Sequence, residues 1–451
     1  MNIVILGAGM GKRMHSDLPK VLHRLAGRPL LSHVIETARA LSPAKIIVIY
    51  GHGGNAVPAT FAAADLSFVL QEPLLGTGHA LMQAMPHLDS SLPVLILYGD
   101  VPLIGASTLE RLINVAGKDS LGLLTAEYAD PAGLGRIVRE QGKIVRIVEH
   151  RDASESELAI SEINTGVMIA PGSRLQGWLD GLGNDNAQGE YYLTDIVAHA
   201  VADGTEIISA QPDNAWEVTG INTKAHLSAL ERIYQLNFAE TLMAQGVTLA
   251  DPARIDVRGT LVCGRDVFID VNCVFEGDVV IGDGAAVGPN CFIRDTTLAR
   301  DVQIRPFSHI DGATVGASSN IGPYARLRPG ADLGEEVQIG NFVEIKNSRV
   351  AAKSKANHLA YVGDSVVGQR VNIGAGTITS NYDGANKHET IIEDDAFIGT
   401  NCELVAPVRI GAGATVGAGT TLTKNVPANS LSISRTRQTF ITNWKRPVKR
   451  V

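Results

Sequence analysis

Two different hydrophobic patterns divide the chain. From Met1 to about Ile221, short apolar runs alternate with segments whose apolar positions recur at helical spacing. The runs NIVIL, KIIVIY, LSFVL and PVLILY predict strands, and residues 30–41, 79–85 and 108–116 predict helices. Nearly continuous apolar strands between helices indicate a mainly parallel sheet that is covered on both faces. Ligands of such sheets bind beyond the carboxyl ends of the strands.

A long segment with helical periodicity follows this first half. Its apolar residues share one face of a helix: Leu227, Leu230, Ile233, Tyr234, Leu236 and Leu242. Gly246 is a typical stop signal. We therefore expect a helical linker over residues 225–245, between a first domain at residues 1–224 and a second domain at residues 246–451.

In the second domain the apolar residues recur every six positions. Three runs keep this spacing: Ile269, Phe275, Ile281, Val287, Ile293; Ile321, Leu327, Leu333, Ile339, Ile345; and Ile392, Ile398, Leu404, Ile410, Val416, Leu422. This period predicts a β-helix built from hexapeptide repeats, in which each aliphatic side chain points inward and stacks on the next coil. The period breaks at TSNYDGANKHET, which predicts a loop that projects from the prism.

Composition narrows the class of protein. The chain has 451 residues and a formal net charge of −8, which argues against a dedicated nucleic-acid-binding protein. The basic ending WKRPVKRV is most simply a solvated tail. No apolar stretch reaches the roughly 18 residues of a membrane span, and the start lacks a signal-peptide pattern. We expect a cytoplasmic protein that binds neither membranes nor nucleic acids.

The four cysteines do not form a recognisable framework. Cys263, Cys273, Cys291 and Cys402 are far apart and contain no C-x-x-C pair. This pattern indicates neither a disulfide scaffold nor a zinc site. We expect buried, reduced thiols.

A glycine-rich stretch, LGAGMGKRM, closes the first strand. It matches neither G-x-G-x-x-G, because Lys12 replaces the third glycine, nor the P-loop pattern. What remains is a turn whose backbone N–H groups can hold phosphate oxygens, with Lys12, Arg13 and Lys20 beside it.

These features together resemble the bacterial bifunctional N-acetylglucosamine-1-phosphate uridyltransferase / glucosamine-1-phosphate N-acetyltransferase family over essentially the whole chain. The motifs that carry the resemblance are LGAGMGKRM with Pro19-Lys20, LQEPLLGTGHA, YGDVPL, EINTG, RLRPGA, GNFVEIK, NHLAYVGD, NIGAGTITSNYDGANK and ISR. The resemblance implies an α/β plus β architecture. It consists of an N-terminal Rossmann-like nucleotidyltransferase domain, a helical arm and a C-terminal left-handed parallel β-helix.

For the first domain, the resemblance implies transfer of UMP from UTP to N-acetylglucosamine 1-phosphate with release of pyrophosphate. Arg13 and Lys20 would neutralise charge on the phosphates, and Asp100 with Asn222 would hold Mg²⁺. The remaining positions implied for the nucleotide sugar are Leu6, Gly7, Ala8, Gly9, Gln71, Gly76, Thr77, Tyr98, Gly99, Gly135, Glu149 and Asn164. Met10, Lys12 and Leu134 depart from the usual family residues, but the backbone glycines are intact.

For the second domain, the resemblance implies acetylation of glucosamine 1-phosphate by acetyl-CoA. His358 is the candidate general base, and Glu344 is hypothesised to orient it. The sugar phosphate positions are Arg328, Lys346, Tyr361 and Asn372; the acetyl-CoA positions are Ala375, Asn381, Tyr382, Thr400, Ala418 and Arg435. Thr400 replaces a serine that is common in the family and keeps the hydroxyl. The family is also homotrimeric, with acetyl sites expected at subunit contacts.

Three other functional classes are compatible with a similar architecture. A sugar nucleotidyltransferase with a purely oligomerising β-helix would not require His358 or the NYDGANK loop. A β-helical metalloenzyme like γ-class carbonic anhydrase would need clustered histidines, whereas His309, His358 and His388 are far apart. A non-catalytic assembly factor would not require Arg13, Lys20 and Asp100. Assays for pyrophosphate and free CoA release separate these classes.

Overall fold

The computed structural model describes residues 1–449, so the last two residues of the basic tail lie outside it. The chain divides into two compact units, one from Met1 to Tyr234 and the other from Gln235 onwards. The boundary falls inside the helix Lys224–Ala244, which covers nearly the same residues as the predicted linker. Each unit has its own apolar core.

The first unit combines one large sheet with helices. Its strands are β1 (Asn2–Leu6), β2 (Arg24–Leu25), β3 (Arg28–Pro29), β4 (Lys45–Tyr50), β5 (Leu66–Leu70), β6 (Val94–Tyr98), β7 (Leu121–Glu127), β8 (Arg136–Glu140), β9 (Lys143–Val148), β10 (Glu162–Ala170) and β11 (Ile207–Ala210). Its helices are α1 (Leu30–Ala40), α2 (Ala56–Thr60), α3 (Thr77–Ala84), α4 (Ala106–Ala116), α5 (Glu155–Leu158), α6 (Gly172–Asp180), α7 (Ile196–Ala202) and the start of α8 (Lys224–Ala244). The predicted strands and helices are therefore confirmed.

The sheet of the first unit is mixed. Its order is β11-β7-β10-β6-β1-β4-β5, and the β8–β9 hairpin pairs with β10. Along the seven-strand order, four of the six neighbouring pairs are parallel, as expected. Strand β10 runs antiparallel to β6 and β7, and the β8–β9 hairpin is antiparallel as well. Apolar cores lie on both faces of the sheet, which explains why its strands are nearly continuous apolar runs.

The second unit is a parallel β-helix. Its strands are β12 (Thr248–Leu249), β13 (Ile255–Cys263), β14 (Phe268–Ile269), β15 (Cys273–Ile281), β16 (Ala286–Val287), β17 (Phe292–Leu298), β18 (Gln303–Ile304), β19 (His309–Asp311), β20 (Ala313–Val315), β21 (Asn320–Ile321), β22 (Arg326–Leu327), β23 (Ala331–Leu333), β24 (Gln338–Asn341), β25 (Glu344–Lys346), β26 (Ser348–Val350), β27 (Lys355–His358), β28 (Tyr361–Gly363), β29 (Ser365–Val367), β30 (Asn372–Ile373), β31 (Ile378–Ser380), β32 (Thr390–Ile392), β33 (Phe397–Ile398), β34 (Glu403–Val405), β35 (Val408–Ile410), β36 (Thr415–Val416), β37 (Thr421–Leu422) and β38 (Leu431–Ser432).

Equivalent strands of successive coils pair in parallel and build the faces of the prism. One face follows the order β12-β14-β16-β18-β21-β24-β27-β30-β33-β36-β38. Ile269 is in register with Val287, and Val287 with Ile304. These aliphatic side chains are buried, as are the other residues of the three runs that keep the six-residue spacing. The hexapeptide prediction is therefore confirmed, and the stacked aliphatic side chains form the core.

One local prediction for the second unit is also confirmed, and another is confirmed in part. The segment that breaks the period forms a loop between β31 and β32, and a bridge joins Tyr382 to Lys387 within it. All four cysteines are free thiols, but only Cys273, Cys291 and Cys402 are buried as predicted, whereas Cys263 is half-buried. Burial raises the pKa of Cys273 to about 12. Within residues 1–449, no helix has the length and apolarity that a membrane span requires.

Helix α8 contributes to both cores. Before the boundary, Leu230 is buried with Met14 and Ile221 in the first unit. After it, Ala239 and Leu242 join the core of the β-helix. Gln235 adds two hydrogen bonds of 2.8 Å, one to the carbonyl and one from the amide of Val257.

The stacked core makes a direct prediction about stability. Phe275 is completely buried in it, so Phe275→Ala should destabilise the second unit by about 3–5 kcal/mol, through lost burial and a cavity. Phe268→Ala is the matched control, because Phe268 is 38% exposed, and it should cost less than about 1.5 kcal/mol. Calorimetric unfolding of the β-helix transition measures both; equal costs would contradict the stacked core.

Candidate functional site

A cavity of about 330 Å³ lies at the carboxyl edge of the sheet in the first unit. Its wall is formed by Leu6, Gly7, Ala8, Gly9, Met10, Lys20, Val21, Gln71, Leu74, Gly76, Thr77, Ala80, Tyr98, Asp100 and Glu190. Because β1 and β6 are parallel neighbours, with Leu6 paired to Tyr98, the glycine loop and Asp100 emerge at the same edge. The Gly99 amide donates to the Leu6 carbonyl over 2.9 Å and joins the two loops.

Lys20 connects the two residues that were predicted to hold a metal. Its ammonium forms an ion pair with the Asp100 carboxylate and lies 3.1 Å from the Asn222 Oδ1. The Ile221 amide donates to the Asp100 carbonyl over 2.9 Å, which fixes the Asn222 segment against the strand end. A cation therefore already occupies the space between two hard oxygen ligands.

This oxygen pair provides two ligands of the hard type that Mg²⁺ prefers. Mg²⁺ is usually held by one or two protein oxygens and completes its shell with phosphate oxygens and water. Among the described residues, no group of three or more His, Cys, Asp or Glu side chains could hold a metal by itself. Asp100 and Asn222 would therefore need the substrate as a further ligand.

Arg13 lies apart from the cavity wall. It belongs to the short 3-10 helix Lys12–Met14, and its side chain is exposed. Met14, beside it, is buried and anchors this turn against Leu25 and Leu30. The structure thus places Arg13 at the surface, outside the residues that line the cavity.

Gln71, Gly76, Thr77 and Tyr98, which were predicted for the nucleotide, also line the cavity. Gln71 is only 4% exposed, and its side-chain Nε2 donates to the Gly76 carbonyl over 2.9 Å. Thr77 opens α3, and its hydroxyl accepts from the Leu193 amide over 3.2 Å. Tyr98 closes the wall, and burial together with Glu149 and Asp100 raises the pKa of its phenol, which stays a neutral donor.

The predicted sugar-binding residues also converge. The Asn164 amide donates to the Gly135 carbonyl over 2.9 Å. A side chain on Gly135 would place its Cβ 3.5 Å from the Glu149 carboxylate, so the glycine leaves that carboxylate accessible. Burial raises the pKa of Glu149, and the hydrogen bond from Thr194 lowers it by a smaller amount. Leu74 and Glu190 line the cavity although the sequence analysis missed them; Leu74 lies within a quoted motif, whereas nothing local marks Glu190.

In the second unit, His358 ends β27 with an exposed side chain. Its Nδ1 lies 2.7 Å from the Oδ1 of Asn341, its register partner on the previous coil. An amide oxygen accepts, so Nδ1 carries the ring hydrogen and Nε2 keeps the basic lone pair. His358 is therefore in the tautomer that a general base acting through Nε2 requires.

The orienting partner of His358 is Asn341 and not the hypothesised Glu344. The Glu344 carboxylate instead accepts from Arg328 over 2.9 Å and from Arg326 over 3.4 Å. The physical reason is register: Glu344 is paired with Arg326 on the neighbouring coil, and opposite charges there attract each other. Glu344 is thus a positioning residue for Arg328.

Three of the six predicted acetyl-CoA positions, Ala375, Thr400 and Ala418, form a column that starts at His358. The register of the coils aligns Ala356 with Ile373, Ile373 with Ile398, and Ile398 with Val416. Two positions later, the same coils carry His358, Ala375, Thr400 and Ala418. Because parallel strands are about 4.8 Å apart, this column spans roughly 15 Å. Arg435 closes it, since its Nε donates to the Ala418 carbonyl over 3.1 Å.

A cluster of cations lies on a neighbouring face of the prism. Arg328 follows β22 and Lys346 ends β25, on adjacent coils. Lys387, from the projecting loop, lies beside Lys346, and this neighbour lowers the pKa of Lys387. The sequence analysis quoted Lys387 within NYDGANK but did not select it as a site residue. Three cations within reach of each other suit a phosphate group.

The remaining predicted residues are divided between the loop region near this cluster and the face that carries His358. The Tyr361 hydroxyl lies over Gly363, where an added Cβ would be only 2.4 Å away. Asn381 is buried and donates to Asp364, whereas Tyr382 is 61% exposed and donates to the Gly384 carbonyl. Asn372 pairs with Lys355 on the face that carries His358.

Three family descriptions match parts of the chain. A MobA-like NTP transferase domain matches residues 3–156, and a GMPPB C-terminal domain matches residues 257–341. A hexapeptide repeat of succinyl-transferase matches residues 389–424. The first lies in the unit with the cavity, and the other two lie in the β-helix.

Curated relatives match the chain over its whole length. A protein of Janthinobacterium sp. (strain Marseille) named bifunctional protein GlmU is 65% identical over 449 residues, which cover 100% of this chain and 99% of the relative. Proteins with the same name from Herminiimonas arsenicoxydans and Ralstonia nicotianae are 63% and 61% identical, with the same coverage.

The buried carboxyl of Glu149 predicts a pH-dependent effect on stability. Its raised pKa means that ionisation is less favourable in the folded than in the unfolded chain. The wild type should therefore lose stability relative to Glu149→Gln as pH rises above the ordinary value of 4.5 and through the folded pKa. Calorimetry of the first unit from pH 4 to pH 8 measures the difference.

The matched control is Glu140→Gln, because Glu140 is an exposed carboxylate on the adjacent β8. Its stability difference from the wild type should be nearly constant over the same pH range. A Glu149→Gln difference that is equally flat would contradict the raised pKa.

Proposed function

Because the chain belongs to the family of bifunctional GlmU proteins, we propose that it catalyses two steps of UDP-N-acetylglucosamine synthesis. The β-helix acetylates glucosamine 1-phosphate with acetyl-CoA. The first unit then transfers UMP from UTP to N-acetylglucosamine 1-phosphate and releases pyrophosphate. The product supplies precursors of the cell wall and of lipopolysaccharide. The observation that carries the proposal is that Lys20 contacts both Asp100 and Asn222 beside a glycine loop.

In uridylyl transfer the acceptor phosphate is itself the nucleophile, so the protein has to position it and neutralise charge. Gly7, Ala8 and Gly9 line the cavity, and backbone N–H groups of such a loop suit phosphate oxygens. Lys20 is held at the same edge by Asp100 and Asn222, and it can exchange these partners for the α-phosphate. Asp100 and Asn222 would hold Mg²⁺, which would add positive charge at the phosphates when bound.

In acetyl transfer the sugar amine attacks the thioester carbonyl of acetyl-CoA, and the CoA thiolate leaves. His358 Nε2 takes the proton of the amine, while Asn341 keeps the ring in the required tautomer. The sugar phosphate binds to Arg328 and Lys346, with Lys387 as a third cation. The small side chains of Ala375 and Ala418, in the column that starts at His358, leave room for the extended arm of CoA.

We further propose that the enzyme works in the cytoplasm, where UTP and acetyl-CoA are available, and that it is a homotrimer. What supports the trimer is the exposure of His358 on the outer surface of a convex prism. Enclosed sites need walls on several sides, and a neighbouring prism would provide the missing wall.

The two activities should be separable by single substitutions. Asp100→Ala should lower uridylyl transfer by at least about a hundredfold and leave acetylation intact, because it removes a carboxylate that holds Lys20 and the metal. His358→Ala should do the reverse, since general base catalysis is worth about 10²–10⁴-fold. Release of pyrophosphate and of CoA measures the two rates on one preparation. Near-normal acetylation by His358→Ala at neutral pH would contradict the base assignment.

The trimer predicts a sedimentation mass of three times the 47.7 kDa chain at micromolar concentration. A shared acetyl site also predicts recovery of activity when inactive His358→Ala and Arg435→Ala chains are unfolded, mixed and refolded. Native mass spectrometry verifies that mixed trimers form. Mixed trimers without recovered acetylation would assign both residues to a site on one chain, and a monomer would exclude a shared site.

A further inference from the structure

A partly buried hydrogen-bond network holds the side chain of Gln71. Its Nε2 lies 2.9 Å from the Gly76 carbonyl oxygen and 3.2 Å from the Nδ1 of His79. Gln71 itself is 4% exposed and lines the cavity of the first unit. Both hydrogens of the amide group thus have a partner inside the protein. The amide oxygen is the polar atom that Gln71 has left for a ligand.

The Gly76 carbonyl fixes which end of the amide faces inward. A carbonyl oxygen only accepts hydrogen bonds, so the atom 2.9 Å from it has to be the nitrogen of Gln71. Gly76 holds this carbonyl in place with a φ of 103°, in the region that favours glycine. A Cβ at this position would also lie 2.7 Å from the Tyr191 carbonyl oxygen.

His79 accepts the second hydrogen of the same amide. Its Nδ1 therefore carries no hydrogen, and in the neutral ring the hydrogen is on Nε2. The side-chain amide of Gln83, one helical turn later on α3, lies 3.2 Å from that Nε2. The Gln83 nitrogen also lies 3.4 Å from the His79 carbonyl oxygen. A half-turn of the amide gives up this long contact and lets its oxygen accept from Nε2–H. His79 also lies beside the ring of Tyr191, with the centroids 6.4 Å apart.

We propose that His79 is a specificity-determining positioning residue that holds the Gln71 amide with its oxygen toward the base of the bound nucleotide. The inference rests on the proposed use of a uridine nucleotide at this cavity. Uracil carries a hydrogen on N3 that this oxygen can accept. Cytosine has a lone pair on N3, which the same oxygen repels, so a fixed amide orientation rejects CTP.

Without His79 as an acceptor, one of the two hydrogen bonds that hold the Gln71 nitrogen inward is lost and the bond to the Gly76 carbonyl remains. The turned amide, which offers its NH₂ group to cytosine, therefore becomes less unfavourable. The energy at stake is about that of one hydrogen bond, so the preference should change by about tenfold. A merely structural role would lower the rates with both nucleotides alike. The ratio of kcat/KM for UTP to that for CTP therefore distinguishes the two roles.

The experiment measures this ratio by pyrophosphate release for the full chain and for single variants. His79→Phe keeps a ring beside Tyr191 but removes the acceptor, and His79→Ala removes it a second way. His79→Asn restores an acceptor, because its Oδ1 can take the place of Nδ1. His87→Ala is the matched control, since His87 is an exposed histidine that follows α3. Acetylation by the β-helix of the same chain normalises the amount of folded protein.

The expected result is a ratio that falls about tenfold in His79→Phe and His79→Ala and stays near the wild-type value in His79→Asn and His87→Ala. Gln71→Ala should lower the ratio at least as much. An unchanged ratio in His79→Phe and His79→Ala, or equal loss with both nucleotides, would overturn the role of His79 while leaving uridylyl transfer in place. A wild type that transfers from neither nucleotide would overturn the proposed function and this inference together.

Discussion

The register of parallel strands is the constraint on which both units depend. In the first unit, Leu6 is paired with Tyr98, so the glycine loop and Asp100 leave the sheet at one edge. In the second, each coil repeats the register of the previous one, which aligns Asn341 with His358. A slip of one residue would turn every inward aliphatic side chain toward solvent. Apolar packing therefore fixes the register, and the register places the polar groups.

The polar groups that register brings together are already paired with one another. Lys20 is held by Asp100 and Asn222, and Arg328 is held by Glu344. A partly buried charge without a partner is costly, so these internal pairs keep the site in shape before a substrate arrives. In the proposed reactions, a substrate phosphate would exchange one oxygen partner of the cation for another and would not have to create an ordered site. The same logic applies to Gln71, whose two amide hydrogens are both used inside the protein.

Residues that are close in sequence and part of a motif were predictable, but their partners were often not. The six-residue period predicted the β-helix, and the glycine turn predicted the cavity wall. The orienting partner of His358 was misassigned to Glu344, because only the coil register shows that Asn341 is adjacent. Lys387 was missed because its neighbour Lys346 lies on a different coil. The antiparallel β10 was missed because strand direction depends on the path of the connections.

The sequence by itself determined the two architectures and the chemical types of the candidate residues. It could do so because inward and outward positions alternate with a period that is written locally in the chain. Only the tertiary structure decided which of these residues touch: Lys20 with Asn222, Asn341 with His358, and Gln71 with His79. The physical reason is that a side-chain hydrogen bond forms only when the donor–acceptor distance between two separate segments is right to within a few tenths of an ångström. Such distances are set by packing and strand register, and no local pattern specifies them.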